Sequence, residues 1–148
     1  LVFTEYINLK NEKRTRIRSR FIHGKDFIKE ILIYMPISIS TILVKKKSAK
    51  AIGYFNEKYE IIGDLDFYFR FCQKYKISSI DKPLAEYLIH GENFSLKKML
   101  LRVREIRHWL NNLSNKHKIV YKKEIKHIID TNNYLELSHR IHNKKKIY

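Results

Sequence analysis

Two carboxylates, Asp64 and Asp66, lie one residue apart near the middle of the chain, and Arg70 follows at i+4 from the second. Apolar residues recur at helical spacing from Leu65 onward, so both acids fall at the start of a predicted helix. Free backbone N–H groups and the positive end of the helix dipole stabilise carboxylates there. Such a carboxylate can act as a general base or simply cap the helix, and the pattern leaves both roles open. Arg70 can bind the carboxylate of Asp66 one turn away, or form an ordinary surface ion pair.

One histidine and two smaller polar residues follow further along the chain. His90 ends a predicted strand over residues 84–90, and Asn93 and Ser95 come shortly after it. An imidazole in that place can bind a metal ion or a phosphate, or it can satisfy a loop carbonyl. Cys72 is the only cysteine, so neither an internal disulfide nor a cysteine-rich zinc site is expected.

The segments that must position these residues alternate between strand and helix patterns, which predicts an α/β fold. Alternating or apolar runs predict strands at residues 1–9, 37–44, 77–80 and 84–90, with a hairpin or loop at 10–20. Apolar residues three and four apart predict a helix that stops before Pro36, one that starts near Leu65, and others at 96–113, 120–129 and 134–141. We expect a basic bend at 45–50, a tight turn at Gly53 and a further turn at 81–83.

The composition of the chain excludes one class of protein and indicates the charge of its partner. The 148 residues contain 31 Lys and Arg against 15 Asp and Glu, a formal net charge of +16. Hydrophobic residues make up 44% of the chain, enough for one domain with a core, which excludes a wholly disordered protein. The charge favours an anionic partner, namely nucleic acid, acidic lipid or a phosphorylated ligand. No apolar run approaches the length of a membrane span, and a single cysteine favours a cytoplasmic location.

Four segments of the chain follow one another in a recognisable order. They are residues 53–59 (Gly-Tyr-Phe-Asn-Glu-Lys-Tyr), 63–70 (Gly-Asp-Leu-Asp-Phe-Tyr-Phe-Arg), 83–87 (Pro-Leu-Ala-Glu-Tyr) and 90–95 (His-Gly-Glu-Asn-Phe-Ser). Together they resemble the second half of family 2 glycosyltransferases. In that family a Gly-Phe-Asp-Glu segment precedes an acidic helix start that ends in Arg, and a later strand closes with a His-x-x-Asn-x-Ser pattern.

The resemblance implies a fold of the GT-A type, here a partial Rossmann-like sheet with flanking helices and a basic helical C-terminal tail. It also implies transfer of a sugar from a nucleotide-sugar donor, a UDP-sugar above all, to a hydroxyl of a saccharide or lipid-linked acceptor in polysaccharide or glycoconjugate synthesis. Asp64 matches the base of an inverting reaction, which accepts the proton of the acceptor hydroxyl as its oxygen attacks the anomeric carbon. Asp66 would support the geometry of the acceptor site or of a loop, and Arg70 would fix the Asp66 carboxylate.

The resemblance also assigns roles on the donor side. His90 matches a histidine that in some members of the family helps to bind the divalent cation beside the donor diphosphate. An imidazole nitrogen suits Mn²⁺ better than Mg²⁺, and either ion is the cofactor expected for the intact enzyme. Asn93 and Ser95 would supply hydrogen bonds to the diphosphate.

Two departures from the family pattern define what this chain is expected to be. Gly63 stands where the family has the first acid of its Glu-Asp pair, and the nucleotide-binding half with its metal-binding Asp-x-Asp is expected before Leu1. We therefore expect residues 1–95 to form the acceptor-side portion of a transferase domain that is inactive alone. An inactive remnant of such an enzyme is an alternative. A basic nucleic-acid-binding module is another, disfavoured because no helix-turn-helix, zinc-finger or RNP-like segment is present.

Residues 96–148 are expected to form a basic helical extension. Residues 97–148 carry 14 Lys and Arg against 4 Asp and Glu. The first helix of this extension has an apolar side, and the same helix contains Trp109. It can pack on the domain, keep a solvated face, or lie on an anionic bilayer. A peripheral position at the inner face of the membrane is thus the alternative to a free cytoplasmic one.

Overall fold

The computed structural model describes residues 1–17, 26–35, 37–90 and 98–144. These residues form a mixed α/β fold, in which one four-stranded sheet is combined with helices. The strands are β1 (Val2–Lys10), β2 (Lys13–Ile17), β3 (Ile42–Leu43) and β4 (Ser78–Leu88). The helices are α1 (Asp26–Tyr34), α2 (Lys46–Ala51), α3 (Gly63–Lys74), α4 (Met99–Asn112), α5 (Asn115–Val120) and α6 (Lys122–Lys144), with a 3₁₀ turn at Ile39–Thr41.

The first strand, β1, lies at the centre of the sheet. It pairs antiparallel with β2 through its second half and with β3 through its first two residues, so these short strands share one edge. Along the other edge β4 runs parallel to it, with a register irregularity around Glu5. The β1–β2 hairpin closes through Asn11 and Glu12, both at positive φ (45° and 65°), the geometry that matches the twist of paired strands.

Helix α3, which carries the two acids, lies inside the core. Phe67 and Tyr68 have no exposed surface, and Phe71 has 1%. The helix packs against α1, and the core also takes in Phe3 of β1 and Ile106 of α4. A helix buried around most of its circumference is apolar on several faces rather than along one stripe. The position of its first turn is therefore fixed by packing on several sides.

Two sequence predictions for residues 37–50 are wrong about the type of secondary structure that most of these residues adopt. The predicted strand is reduced to the two residues of β3 after a 3₁₀ turn, because the Thr41 hydroxyl donates to the Ser38 carbonyl at 2.8 Å and closes a local turn. The predicted basic bend is helix α2. Its Lys-Lys-Ser-Ala-Lys-Ala sequence contains neither Gly nor Pro and is rich in good helix formers.

Two predicted breaks in the chain are absent from the described residues. The predicted turn at 81–83 lies within β4, where Pro83 is tolerated because β4 is an edge strand with a register irregularity beside it. The two predicted helices after residue 120 are one helix, α6, whose polar middle is held by Asn132: this buried side chain donates to the Val103 carbonyl at 3.1 Å. In the described ranges no helix combines the length and the apolar character needed to cross a bilayer.

Candidate active site around Asp64

Asp66 and Arg70 form an ion pair within one turn of α3. The guanidinium donates to the Asp66 carboxylate through Nε at 2.8 Å and through Nη2 at 2.7 Å. The same guanidinium donates to the carbonyls of Ile52 and Tyr54, the latter at 2.8 Å. It thereby holds the turn at Gly53, whose φ of +82° suits glycine. The predicted tight turn at this position is confirmed, and the ion pair anchors it.

The second oxygen of Asp66 is bound from another helix. Trp109 of α4 donates its indole N–H to Asp66 Oδ1 at 3.2 Å, and its ring meets Phe69 edge-on with the centroids 5.1 Å apart. Asp66 is 6% exposed, and both of its oxygens have protein donors. Its carboxylate is therefore committed to holding α3 against α4 and the turn at Gly53.

A buried carboxylate that the sequence did not single out organises the segment leading into α3. Glu105 of α4 accepts three consecutive backbone N–H groups, from Glu60 at 2.8 Å, Ile61 at 2.9 Å and Ile62 at 3.1 Å. Hydrogen bonds of this kind to an ionised acceptor are stronger than neutral ones. The one signal available in the sequence is that Glu105 lies one helical turn before Trp109, on the side of α4 that faces the core.

Asp64 differs from its neighbour in what it binds. Its Oδ1 accepts the backbone N–H of Leu65 at 2.7 Å, and no side chain among the described residues donates to it. The side chain is partly buried, and this burial raises the pKa of Asp64, against the smaller opposing effects of backbone N–H groups and of the Arg102 charge. Residue Ile62, not Asp64, is the N-cap of α3. Asp64 thus lies in the first turn with part of its hydrogen-bonding capacity unused within the described chain.

A buried hydroxyl lies one turn beyond Asp64. Tyr68 is fully buried, and its phenolic oxygen has no hydrogen-bond partner in the part of the chain that the structure describes. Burial raises the pKa of Tyr68, and the nearby Asp64 charge adds to the shift. The phenol therefore stays protonated and remains able to donate a hydrogen bond near the Asp64 carboxylate.

His90 lies just after the end of β4, at the sheet end where the hairpin turn also lies. Ile89 extends the parallel pairing, since its N–H donates to the Leu9 carbonyl at 2.8 Å. An open groove at this end has a volume of about 480 Å³ and is lined by Asn8, Lys10, Asn11, Lys13, Thr15 and Ile89. His90 is exposed and follows the lining residue Ile89 in the chain, whereas Asn93 and Ser95 lie outside the described residues.

The described residues do not form a metal centre. No three His, Cys, Asp or Glu side chains within residues 1–17, 26–35, 37–90 and 98–144 come together as a ligand set. Asp64 and Asp66 cannot bind a metal ion together, because the two oxygens of Asp66 accept hydrogen bonds from Arg70 and Trp109. The described residues therefore do not by themselves supply a ligand set for the expected divalent cation.

Comparison of the chain with models of protein families, with curated protein sequences and with solved structures finds no match. The site combines the fully engaged carboxylate of Asp66, the partly buried carboxylate of Asp64 with unused acceptor capacity, and the buried phenol of Tyr68 one turn beyond Asp64. A proton acceptor held on a rigid helix is the chemistry that this arrangement can supply.

Proposed function

We propose that this chain is the acceptor-side portion of a glycosyltransferase of the GT-A type, with Asp64 as its general base. The observation that carries the proposal is the difference between the two neighbouring carboxylates. Asp66 is bound on both oxygens, whereas Asp64 meets only backbone N–H donors within the described residues. A carboxylate with unused acceptor capacity beside a fully engaged one is available to accept a proton.

The proposed step is an inverting transfer. The acceptor hydroxyl attacks the anomeric carbon of the donor sugar as the bond from that carbon to the diphosphate oxygen breaks. The hydroxyl proton passes to the Asp64 carboxylate, and the nucleoside diphosphate leaves with the bonding electrons. The raised pKa of Asp64 suits this role, because a base is most effective when its pKa approaches the working pH. The four-segment resemblance to family 2 glycosyltransferases supplies the reaction class.

The supporting contacts would keep the base in place during the reaction. Glu105 holds the segment before α3, while Trp109 and Asp66 lock α3 to α4. Misplacement of a catalytic group by about 1 Å can lower a rate by about a hundredfold, so such supports matter for a transferase. His90, with Asn93 and Ser95 beyond it, is the proposed donor diphosphate side, and a UDP-sugar is the proposed donor.

The test is sugar transfer by a protein that carries this chain together with a nucleotide-binding half. UDP release is measured from a panel of UDP-sugars with saccharide and lipid-linked acceptors. Asp64→Asn is expected to lower turnover by about a hundredfold or more while donor binding stays unchanged. Asp130→Asn is the matched control, because Asp130 is an exposed acid on α6. Retained turnover in Asp64→Asn contradicts the base assignment, and absence of any transfer in the unaltered protein favours the inactive remnant.

A further inference from the structure

Helix α4 buries the centre of its apolar face. Val103 and Ile106 are buried, and Trp109, which the sequence suggested as a membrane contact, is 3% exposed and bound to Asp66. These side chains form part of the core.

Helix α6 turns an apolar stripe outward instead. Tyr134, Leu137 and Ile141 are 69%, 60% and 55% exposed. Their spacing of three and four residues places them on one side of the helix. The inward side is taken by Ile128 and Asn132, which are buried against the rest of the fold. The outward stripe therefore belongs to none of the packing that holds the domain together.

The same outward side is basic at its beginning. Lys123 and Lys126 are exposed, and helical periodicity brings them onto the side of Leu137 and Ile141. Lys122 and the α5 residues Lys116 and Lys118 are also exposed around the start of α6. A row of exposed lysines thus continues into a row of exposed apolar side chains.

One carboxylate of α6 lies on this face. Helical periodicity places Asp130 between Lys126 and Tyr134, where it is exposed and outside the ion pairs of the described chain. The other two acids of α6 are engaged elsewhere, because Glu124 is buried and Glu136 is held by Arg107 and Arg140. With Lys123 and Lys126 against one aspartate, the face is still positive and apolar together.

We infer that the outward face of α6, formed by Lys123, Lys126, Tyr134, Leu137 and Ile141, lies on an anionic bilayer. The apolar side chains enter the boundary between headgroups and acyl chains, and the lysines pair with lipid phosphates. This surface is separate from the Asp64 site, and the inference stands whether or not the chain transfers sugars.

Charge and side-chain chemistry favour a bilayer over the other occupants of such a face. A second copy carries the same net charge of +16, so close approach of two basic faces is repelled. Single-stranded nucleic acid is bound through stacked aromatic rings and Arg, whereas this face offers two aliphatic residues and one Tyr. An anionic bilayer satisfies the lysines and the aliphatic side chains at once.

The test is co-sedimentation of the full chain with vesicles of phosphatidylcholine alone or mixed equally with phosphatidylglycerol. We expect binding to the anionic vesicles only, weakened at high salt. Each lysine near an anionic surface strengthens binding about fivefold, so Lys123→Gln with Lys126→Gln is expected to weaken it more than tenfold. Lys46→Gln with Lys47→Gln, which removes equal charge from α2, is the matched control and is expected to bind nearly as the unaltered chain does.

A second variant pair tests the apolar stripe. Leu137→Ser with Ile141→Ser is expected to abolish vesicle binding, whereas Leu84→Ser, an exposed leucine on β4, is expected to leave it unchanged. Unchanged circular dichroism identifies the variants that remain folded, and the lysine pair tests the inference if the apolar pair does not fold. Equal binding to neutral vesicles, or α6 variants that bind like the unaltered chain, overturns the inference. Two further results would overturn it. One is a dimer of the unaltered chain that the apolar variant dissociates, and the other is salt-sensitive binding of RNA without binding of vesicles.

Discussion

Trp109 and Asp66 are joined by a hydrogen bond of 3.2 Å between indole Nε1 and carboxylate Oδ1. The two residues lie 43 positions apart in the chain, on α4 and α3, and both are buried. A buried carboxylate that lacks hydrogen-bond donors lowers the stability of the fold. The contributions of this bond and of the Arg70 ion pair to stability therefore depend on each other. The join between the two helices is thus polar at its centre and aromatic around it.

Replacing Trp109 by Phe tests that join. Trp109→Phe keeps a ring against Phe69 but removes the donor to Asp66, so unfolding free energy should fall by about 2–3 kcal/mol. Urea denaturation at neutral pH measures the change. Tyr121→Phe is the matched control, because Tyr121 also meets Phe69 edge-on and its substitution keeps that ring contact. Equal stability of the two variants would show that the indole bond contributes nothing.

Replacing Glu105 by Gln tests the clamp before α3. Glu105→Gln puts an amide NH₂ group where a carboxylate oxygen meets backbone N–H donors, so we expect a loss of about 3 kcal/mol. Faster amide hydrogen exchange at residues 60–62 should accompany it. Glu60→Gln is the control, since Glu60 is exposed and its pair with Lys98 is a surface one. If exchange at residues 60–62 is unchanged, Glu105 does not hold the segment.

The pH dependence of Asp64→Asn separates a catalytic carboxylate from a helix cap. The pKa of Asp64 is raised by burial, so its contribution to stability is full below the unfolded pKa and is lost as pH rises through the folded pKa. Asparagine keeps an acceptor for the Leu65 N–H without the buried charge. We therefore expect the variant to be at least as stable as the unaltered chain at neutral pH.

Thermal unfolding at several pH values measures this effect, and the advantage of Asp64→Asn should vanish in acid, where Asp64 itself is protonated. A capping role predicts the opposite, a loss of about 0.3–1 kcal/mol at neutral pH from the missing charge at the start of α3. Asp130→Asn provides the comparison, because Asp130 lies on the exposed surface of α6. A destabilised Asp64→Asn would favour the cap.

Burial also controls the chemistry of Cys72, whose pKa it raises to about 12. At pH 8 almost none of the thiol is ionised in the fold, and the thiolate is the form that reacts. Alkylation by iodoacetamide should therefore be slower than in the urea-unfolded chain by about a hundredfold or more. Comparable rates in the two states would show that Cys72 is accessible and would contradict its place beside the core.

Local relationships were accessible from the sequence, and distant ones were not. The acidic start of α3 and the Asp66–Arg70 pair follow from helical periodicity, since i and i+4 lie on one face. The Trp109 bond and the Glu105 clamp join residues more than forty positions apart, and no local pattern encodes such contacts. The sequence could therefore place Asp66 on the helix but could not show that its second oxygen is taken.

The errors in secondary structure have the same origin. Pro83 predicts a turn, but it lies within β4. A proline is tolerated there because β4 is an edge strand whose pairing with β1 is irregular beside Pro83. The polar run at residues 130–133 reads as a break in α6, but Asn132 finds its acceptor on Val103 of α4. In both cases a partner from another element overrides the local preference.

The central place of β1 sets an order of events during synthesis. β1 is translated before the other described strands, and its long parallel partner β4 ends at residue 88. At about 5–20 residues per second, β1 emerges several seconds before β4 can pair with it. Among the described strands, β2 and then β3 are the partners available to it during that interval. Its unpaired backbone is the point at which a nascent chain is most exposed to aggregation or to capture by a chaperone.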